Sequence, residues 1–418
     1  MKNKNNTATP VQHIYRWILR SVLTIYYCLL TLSKVMPQKK VPAQVRVLVT
    51  GTFYSDHWLI THLKPMANAN NCAKLIMVSA TPVPAMNNVQ GAYAPWWLQK
   101  IAGQVGARLL FFSWLVVKER PDVLVGFHLL VNGLIVVLLA RLIGAKSVYI
   151  CGGGPREVQG GGIKTESRIF NRIGQTDLFI EKLLLKSVDV MSVVVTMGTS
   201  AVEYFKAKGI TAPCEIVPGG FDNDIFCPDV NVEKKYDLIL IGRLSEVKRV
   251  DRFLHAIKLA KVSKPDISAV IIGDGPNKLQ LEKLAQELGL SEQVVFTGWQ
   301  SNVDFWIKQS RCFVLTSDSE GLSQALIQAM MSGLPAITSD VGDLGDILKN
   351  DINGYLIEEL TQEEFARAFV AMFAAPLQYS TFTANALSAT NAFTVPSVTE
   401  QWQSINYSFN LKKSKSSH

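Results

Sequence analysis

The six cysteines, Cys28, Cys72, Cys151, Cys214, Cys227 and Cys312, lie far apart in a chain of 418 residues. The close pairs that a zinc site or a disulfide framework needs are missing, so reduced thiols in a cytoplasmic compartment are the simplest reading. Internal repeats, low-complexity tracts and nucleic-acid motifs are also missing, and the basic residues are scattered, which argues against a nucleic-acid partner. A hydrophobic content of 48% with mean hydropathy +0.17 excludes a disordered or fibrous chain and suffices for two domains with their own cores. Only the polar ends, residues 1–10 and 412–418, are expected to fray.

Long uncharged runs are scarce as well. Between Arg20 and Lys34 only the thirteen residues Ser21 to Ser33 are uncharged, too few for a helix to cross roughly 30 Å of hydrocarbon. Basic Arg16, Arg20, Lys34, Lys39 and Lys40 surround the run, with Trp17 at its edge. This predicts a helix lying in a membrane interface, with residues 11–40 as the contact and the protein peripheral on the inner face of the cell membrane. Lys39 and Lys40 stand where a signal peptide would need its small-residue cleavage site. The uncharged run Val123 to Ala140 divides into a buried strand, Val123 to Phe127, and a helix from about Gly133 capped by Asn132, and reads as core.

Acidic residues are scarce in one half only. Residues 1–220 carry 24 Lys and Arg against 10 Asp and Glu, and residues 221–418 carry 18 against 24, so a net +8 divides into +14 and −6. The basic half fits an anionic surface or lipid-phosphate ligand; a plain solvated surface fits equally.

From Val45 onward, short β-rich runs alternate with helical-period segments, the pattern of parallel sheets built from βαβ units. Expected strands are Arg46 to Thr50, Lys74 to Ser79, Arg108 to Ser113, Val123 to Phe127, Ser147 to Ile150, Met191 to Thr196 and Cys214 to Val217. Helices are expected at Asp56 to Met66 and Ser200 to Lys208. After Pro218-Gly219-Gly220 the pattern restarts with Asp237 to Ile241, Ser268 to Ile272, Val294 to Thr297, Cys312 to Leu315, Pro335 to Thr338 and Tyr355 to Ile357. The fold class is α/β, two doubly wound Rossmann-like domains facing a central cleft, with ligands at the strands' carboxyl ends. The expected divisions are 1–44 for the interface helix and linker, 45–217 for an acceptor domain, 218–385 for a nucleotide-sugar domain, and 386–418 for a helical segment and tail.

Three strand ends in the second half carry chemistry. Asp237 to Ile241 runs into Gly242, Arg243, Leu244 and Ser245 before a helix expected to contain Lys248. Glycine lets a ligand approach the backbone, Ser245 can cap the helix, and two cations beside helix amides suit a diphosphate. Gly273-Asp274-Gly275-Pro276 is a second glycine turn on the same edge. The loop Ser317 to Ser323 places Glu320 before a helix through Gln328, where a carboxylate can accept hydrogen bonds from sugar hydroxyls. Each of these also has an ordinary structural reading, as surface cation, chain reversal or helix-terminus carboxylate.

Together these elements resemble the retaining glycosyltransferases of family 4, which have the two-domain GT-B fold. The resemblance covers residues 235–358, through Gly242-Arg243-Leu244, Lys248, Gly273 to Pro276, Phe296-Thr297-Gly298, and Glu320-Gly321-Leu322 to Gly333-Leu334-Pro335, and extends weakly to Pro218 to Asp222. It implies that Arg243 and Lys248 bind the donor diphosphate and Glu320 contacts the transferred sugar. Gly273, Gly275, Thr297 and Trp299 would lie near the nucleoside, Gly51, Gly242, Gly321, Leu322 and Ser323 would belong to the donor site, and Gln328 would bind the ribose. Two residues depart from the family pattern: Gln328 stands where a second glutamate is usual, and Cys151 where many members have histidine. Acceptor candidates are His57, His128, Arg156 and Glu157, beside the glycines 152–154 and 160–162. Trp96 and Trp97 are placed on a loop, free to stack on a sugar, to dip into lipid or simply to pack.

No carboxylate cluster suggests a metal, and no cofactor is expected beyond the nucleotide-sugar substrate. The implied function is sugar transfer to a glycan or lipid-linked acceptor in cell-envelope polysaccharide synthesis. Alternatives are a catalytically silent nucleotide-sugar-binding scaffold, motivated by Gln328 and Cys151, and a nucleotide-sugar epimerase of the same fold.

Overall fold

Runs such as Val45 to Thr50 and Asp237 to Ile241 are apolar on both sides of the pleat, which suits strands covered by helices on each face. In the computed structural model, which describes residues 10–53, 55–163, 165 and 167–411, such runs form two all-parallel sheets. The residue ranges 1–9 and 412–418, expected to fray, lie outside the described residues.

The first sheet has strands β1 (Val45–Thr50), β2 (Cys72–Ser79), β3 (Val89–Tyr93), β4 (Val123–Phe127), β5 (Lys146–Cys151), β6 (Val193–Thr196) and β7 (Cys214–Ile216) in the order β3-β2-β1-β4-β5-β6-β7. The second has β8 (Tyr236–Ile241), β9 (Ala269–Ile272), β10 (Val294–Gly298), β11 (Ser310–Leu315), β12 (Ala336–Ser339) and β13 (Gly354–Ile357) in the order β10-β9-β8-β11-β12-β13. Strand order reverses between β1 and β4 and again between β8 and β11, so each sheet has its own switch point. The chain divides into unit 1, which ends at Gly220 and resumes at Val398, and unit 2, Phe221–Ser397.

Unit 2 matches the periodicity closely. On helix Val250–Ala260 the residues Val250, Phe253, Leu254 and Ile257 are all buried, and they join Leu281 and Ala285 of the next helix over β8 and β9.

Unit 1 departs from the sequence reading in three places. Arg108 to Ser113 is not a strand but part of the helix Trp96–Glu119, where Arg108, Phe112, Leu115 and Val116 are buried at helical spacing. A short apolar run cannot be assigned by periodicity alone, and the sheet position goes to β3, half exposed at the edge. Trp96 and Trp97 accordingly sit in a helical first turn after Pro95 and not on a loop. Asn132 is not an N-cap: its side chain bridges Phe127 O (2.8 Å) and the Arg108 guanidinium (2.8 Å) from the wide turn Leu129–Gly133, and the helix starts at Leu134.

The helix Pro10–Leu32 packs Leu19, Leu23 and Leu30 into a core shared with Leu134, Val137, Ile180 and Leu184. Arg16 and Arg20 both donate to Asp177, at 3.1 and 3.0 Å. Asp177 is buried and also caps helix Leu178–Asp189 by accepting from the amides of Phe179 and Ile180. Burial opposes its charge, but the hydrogen bonds from Arg20, Ile180 and Arg16 hold its carboxyl below the usual range.

Candidate functional site

At the switch point of unit 2 the strand ends are joined backbone to backbone. Gly242 N donates to Ile272 O at 3.0 Å, Gly273 N to Gly298 O at 2.9 Å, and Leu244 N to Asp274 O at 2.9 Å. Gly273 makes this approach possible. Its φ is +144°, and a Cβ there would sit 1.9 Å from Gly242 O, so any side chain would force β8 and β9 apart.

The segment after Gly242 differs in detail from the expected helix. Glu246–Lys248 is a single 3-10 turn preceded by Ser245, which makes no side-chain cap, and Arg249 takes a left-handed φ of 47° before the α-helix begins at Val250. Lys248 thus ends a tight turn instead of lying within a helix. The turn directs its ammonium to Glu320 Oε1, 2.6 Å away, and Ser317 Oγ donates to the same oxygen at 2.5 Å. Arg243 stands exposed just after β8.

Glu320 is fixed from several sides. Asp318 N donates to Val247 O at 2.9 Å and Thr316 Oγ1 to Arg249 O at 2.9 Å, which lash the loop after β11 to the loop after β8. Gly342, at φ +61°, packs so closely that a Cβ would lie 2.0 Å from Glu320 O. Arg252 reaches across with Nη1 to Thr316 O (2.6 Å) and Nη2 to Asp318 (2.7 Å), while Arg249 pairs with Asp251 and Asp318 at 3.0 and 3.2 Å. Burial works against the charge on Asp318, yet the hydrogen bonds from Arg252 and Arg249 hold its carboxyl below the ordinary range. No motif in the sequence points to Arg249, Arg252 or Asp318. The only available signal is the charge pattern Arg249-Asp251-Arg252, because Asp318 lies 66 positions from Arg252 and meets it only through sheet order.

The other donor-side candidates surround this edge unevenly. Gln328 is buried in helix Gln324–Met331, which Ser323 caps by accepting from Leu326 N. Thr297 donates its hydroxyl to Gly298 O at 3.1 Å, Trp299 is largely exposed, and Leu322 is half-buried. A Cβ on Gly321 would meet nothing within 4 Å. A hollow of about 460 Å³ lies between the segment Ser245 to Asp251 on one side and Asn277, Gln280, Leu284 and Glu287 on the other. Lys248 and Glu320 are not part of its lining. Among the described residues no group of three or more His, Cys, Asp or Glu side chains is arranged to hold a metal ion.

In unit 1, His128 and Glu157 come together, while His57 and Arg156 are exposed. Glu157 Oε1 accepts from His128 Nδ1 (2.8 Å) and Gly153 N (2.5 Å), and Oε2 from Leu129 N (2.8 Å) and Tyr149 Oη (2.8 Å). Burial raises this carboxyl, but the charge and hydrogen bond of His128 and the amides of Leu129 and Gly153 outweigh it and keep the pKa low. With its Nδ1 bonded to Glu157, the His128 ring stacks near Trp58, the ring centroids 6.2 Å apart. Arg156 donates to Gly153 O, at 2.9 Å. Cys151 is buried with its thiol donating to Gly154 O at 3.3 Å, Gly51 is packed against Phe127, and Gly160 and Gly161 are buried in a short turn.

The family described as glycosyl transferases group 1 matches residues 223–388, the strand ends above included. A UDP-Gal:α-D-GlcNAc-diphosphoundecaprenol α-1,3-galactosyltransferase of Escherichia coli is 30% identical over 169 residues, 37% of this chain and 44% of that protein. An N-acetyl-α-D-glucosaminyl L-malate synthase of Bacillus anthracis is 31% identical over 126 residues, 30% of this chain and 33% of that protein. The chain therefore spans less than half the length of these curated relatives. Among solved structures, HepE of Anabaena in complex with UDP superposes with a TM-score of 0.66 at 16% identity, covering 87% of this chain and 100% of that one. Sucrose-phosphate synthase from Thermosynechococcus elongatus gives 0.69 at 15% identity, covering 87% and 98%. These likenesses show the GT-B fold, with two Rossmann-like units. Residues 223–388 thus match the glycosyl transferases group 1 family, and the chain has a GT-B fold.

Proposed function

We propose that the chain is a glycosyltransferase that takes a sugar from a nucleotide-sugar donor, with retention, and adds it to a glycan or lipid-linked acceptor in cell-envelope polysaccharide synthesis. The observation that carries the reading is the Lys248–Glu320 pair at 2.6 Å, set at the joined ends of β8 and β11 beside exposed Arg243. Arg243 and Lys248 neutralise the donor diphosphate and stabilise the charge that builds on the leaving nucleotide as the sugar bond breaks. Glu320 meets the sugar hydroxyls, Gln328 the ribose, and the turns at Gly273 to Gly275 and Thr297 to Trp299 the nucleoside. The Arg249–Asp318–Arg252 network keeps the Glu320 loop in register. On the acceptor side, His128 is the group oriented toward the substrate, with Glu157 as its positioning residue. Residues 11–40 hold the protein at the cytoplasmic membrane face, where lipid-linked acceptors reside.

A uridine diphosphate sugar is the first donor to try, because the Escherichia coli relative is described as using UDP-Gal and HepE was solved with UDP. With purified protein and a membrane lipid extract as acceptor, Arg243→Ala and Lys248→Ala should each lower transfer by about 10²–10³-fold, the scale of losing one charge-stabilising group. Full activity in either variant would refute the diphosphate role.

A further inference from the structure

Unit 1 carries two helices with apolar faces turned outward. On Pro10–Leu32, the residues Ile14, Ile18, Val22, Ile25, Leu29 and Leu32 are all exposed. Their spacing of three and four makes one stripe about 27 Å long, distinct from the face that packs Leu19, Leu23 and Leu30 on the unit. The second helix, Trp96–Glu119, bends at Gly103 and exposes Trp97 and Ile101 before or at the bend and Leu110, Trp114 and Val117 after it. Ile101 is 79% exposed and Val117 67%, values no packing role explains.

Both helices border the helix Leu134–Ile143. Leu19, Leu23 and Leu30 share a core with its Leu134 and Val137, while Phe112, Leu115 and Val116 share another with its Val136 and Ala140. The two stripes therefore belong to one side of the first sheet, with Leu142 exposed between their helices.

Charge identifies what covers this side. The two helices and the segment after the first, residues 10–40 and 96–119, carry eight Lys and Arg against one acidic residue, Glu119; Arg16 and Arg20 are paired with Asp177 and Arg108 is buried, which leaves Lys34, Lys39, Lys40, Lys100 and Lys118. Lys100 and Lys118 lie over the rings of Trp96 and Trp114 at 4.9 and 4.8 Å, an arrangement that suits the headgroup level, where tryptophan and lysine meet both apolar and anionic surroundings. A second copy of the chain would bring like charges face to face, whereas an anionic bilayer attracts them. By length and composition Pro10–Val35 and Trp96–Glu119 could each cross a membrane. The ion pairs of Arg16 and Arg20 with Asp177 and the buried leucines instead bind the first helix lengthwise to the protein, so it lies flat.

We infer that this side of unit 1 docks on an anionic lipid bilayer through two parallel contacts, with Trp96–Glu119 immersed as a second helix beside Pro10–Leu32. The inference rests on the membrane reading proposed above for residues 11–40 and extends it to a helix remote in sequence. The test is flotation of the full chain with phosphatidylcholine vesicles, with and without phosphatidylglycerol. One variant carries Ile101→Ser, Trp114→Ser and Val117→Ser; a second carries Ile18→Ser, Ile25→Ser and Leu29→Ser. Circular dichroism and thermal unfolding confirm that both keep the fold, as expected for exposed positions.

The wild type should float with the anionic vesicles, and each variant should lose at least about tenfold in partitioning, since each removes three buried apolar contacts. If the Trp96–Glu119 variant floats like the wild type while the other does not, the second helix is refuted and the first contact stands. Failure of the wild type to bind either vesicle refutes both. If the wild type is a dimer that the Trp96–Glu119 variant dissociates without loss of vesicle binding, the face belongs to a second copy and the lipid assignment of that helix falls.

Discussion

The two units build the same sheet but use their carboxylates in opposite ways. In unit 1, Asp177 and Glu157 are buried and every oxygen is engaged by protein donors. In unit 2, Glu320 and Asp318 sit on one loop at the strand ends; Lys248 and Arg249, which pair with them, reach solvent, while Arg252 holds Asp318 from the buried side. In the function proposed above, a phosphate arriving beside Arg243 competes for Lys248, and Glu320 then turns to a sugar. No such exchange is open to Glu157, whose four partners include two backbone amides. A pair that a ligand must reopen is held by few bonds; a pair that shapes the fold is held by many.

Breaking the buried kind should cost most. Asp177→Ala removes an N-cap and leaves Arg16 and Arg20 without their common partner, so unfolding free energy should fall by about 3 kcal/mol or more, read from denaturant titration. The same link depends on pH. Because the Asp177 carboxyl is held below its ordinary value, its contribution is complete above the usual aspartate range near pH ~4 and disappears as pH falls through the lowered value. Thermal unfolding of the wild type should therefore drop on acidification below that range, and Asp177→Ala should drop less.

A matched pair of substitutions sharpens the contrast. Glu157→Gln turns an amide NH₂ toward a donor and should cost about 2 kcal/mol of stability. Glu320→Gln loses the Lys248 ion pair but keeps a carbonyl acceptor for Ser317, so it should cost about 1 kcal/mol yet lower transfer severely. Equal stability losses in the two variants would erase the distinction drawn here.

The same contrast governs what could be read from the sequence. The strands of unit 2 were legible because their apolar runs end in glycine turns, and the sequence also pointed to Lys248 and Glu320, which the structure brings within 2.6 Å of each other. Arg249, Arg252 and Asp318 were not legible, since no spacing rule links positions 66 or 69 apart across neighbouring strands. In unit 1 the edge strand Val89–Tyr93 is half exposed and contains Gly91, so it lacks a strand pattern, while the apolar run at Leu109 to Phe112 reads as a strand until its neighbours Arg108, Leu115 and Val116 reveal the helical period. The cation pair Arg16 and Arg20, expected beside lipid, is instead tied to Asp177, a residue that nothing near it in sequence announces.

The most direct measurement is a calorimetric titration of UDP into the purified wild type, Arg243→Ala and Lys248→Ala. The account predicts binding by the wild type with at least about tenfold weaker affinity in each variant, the equivalent of one charge-assisted phosphate contact of roughly 1.4 kcal/mol or more. Unchanged affinity in both variants would contradict it, because the diphosphate would then be held somewhere other than the ends of β8 and β11.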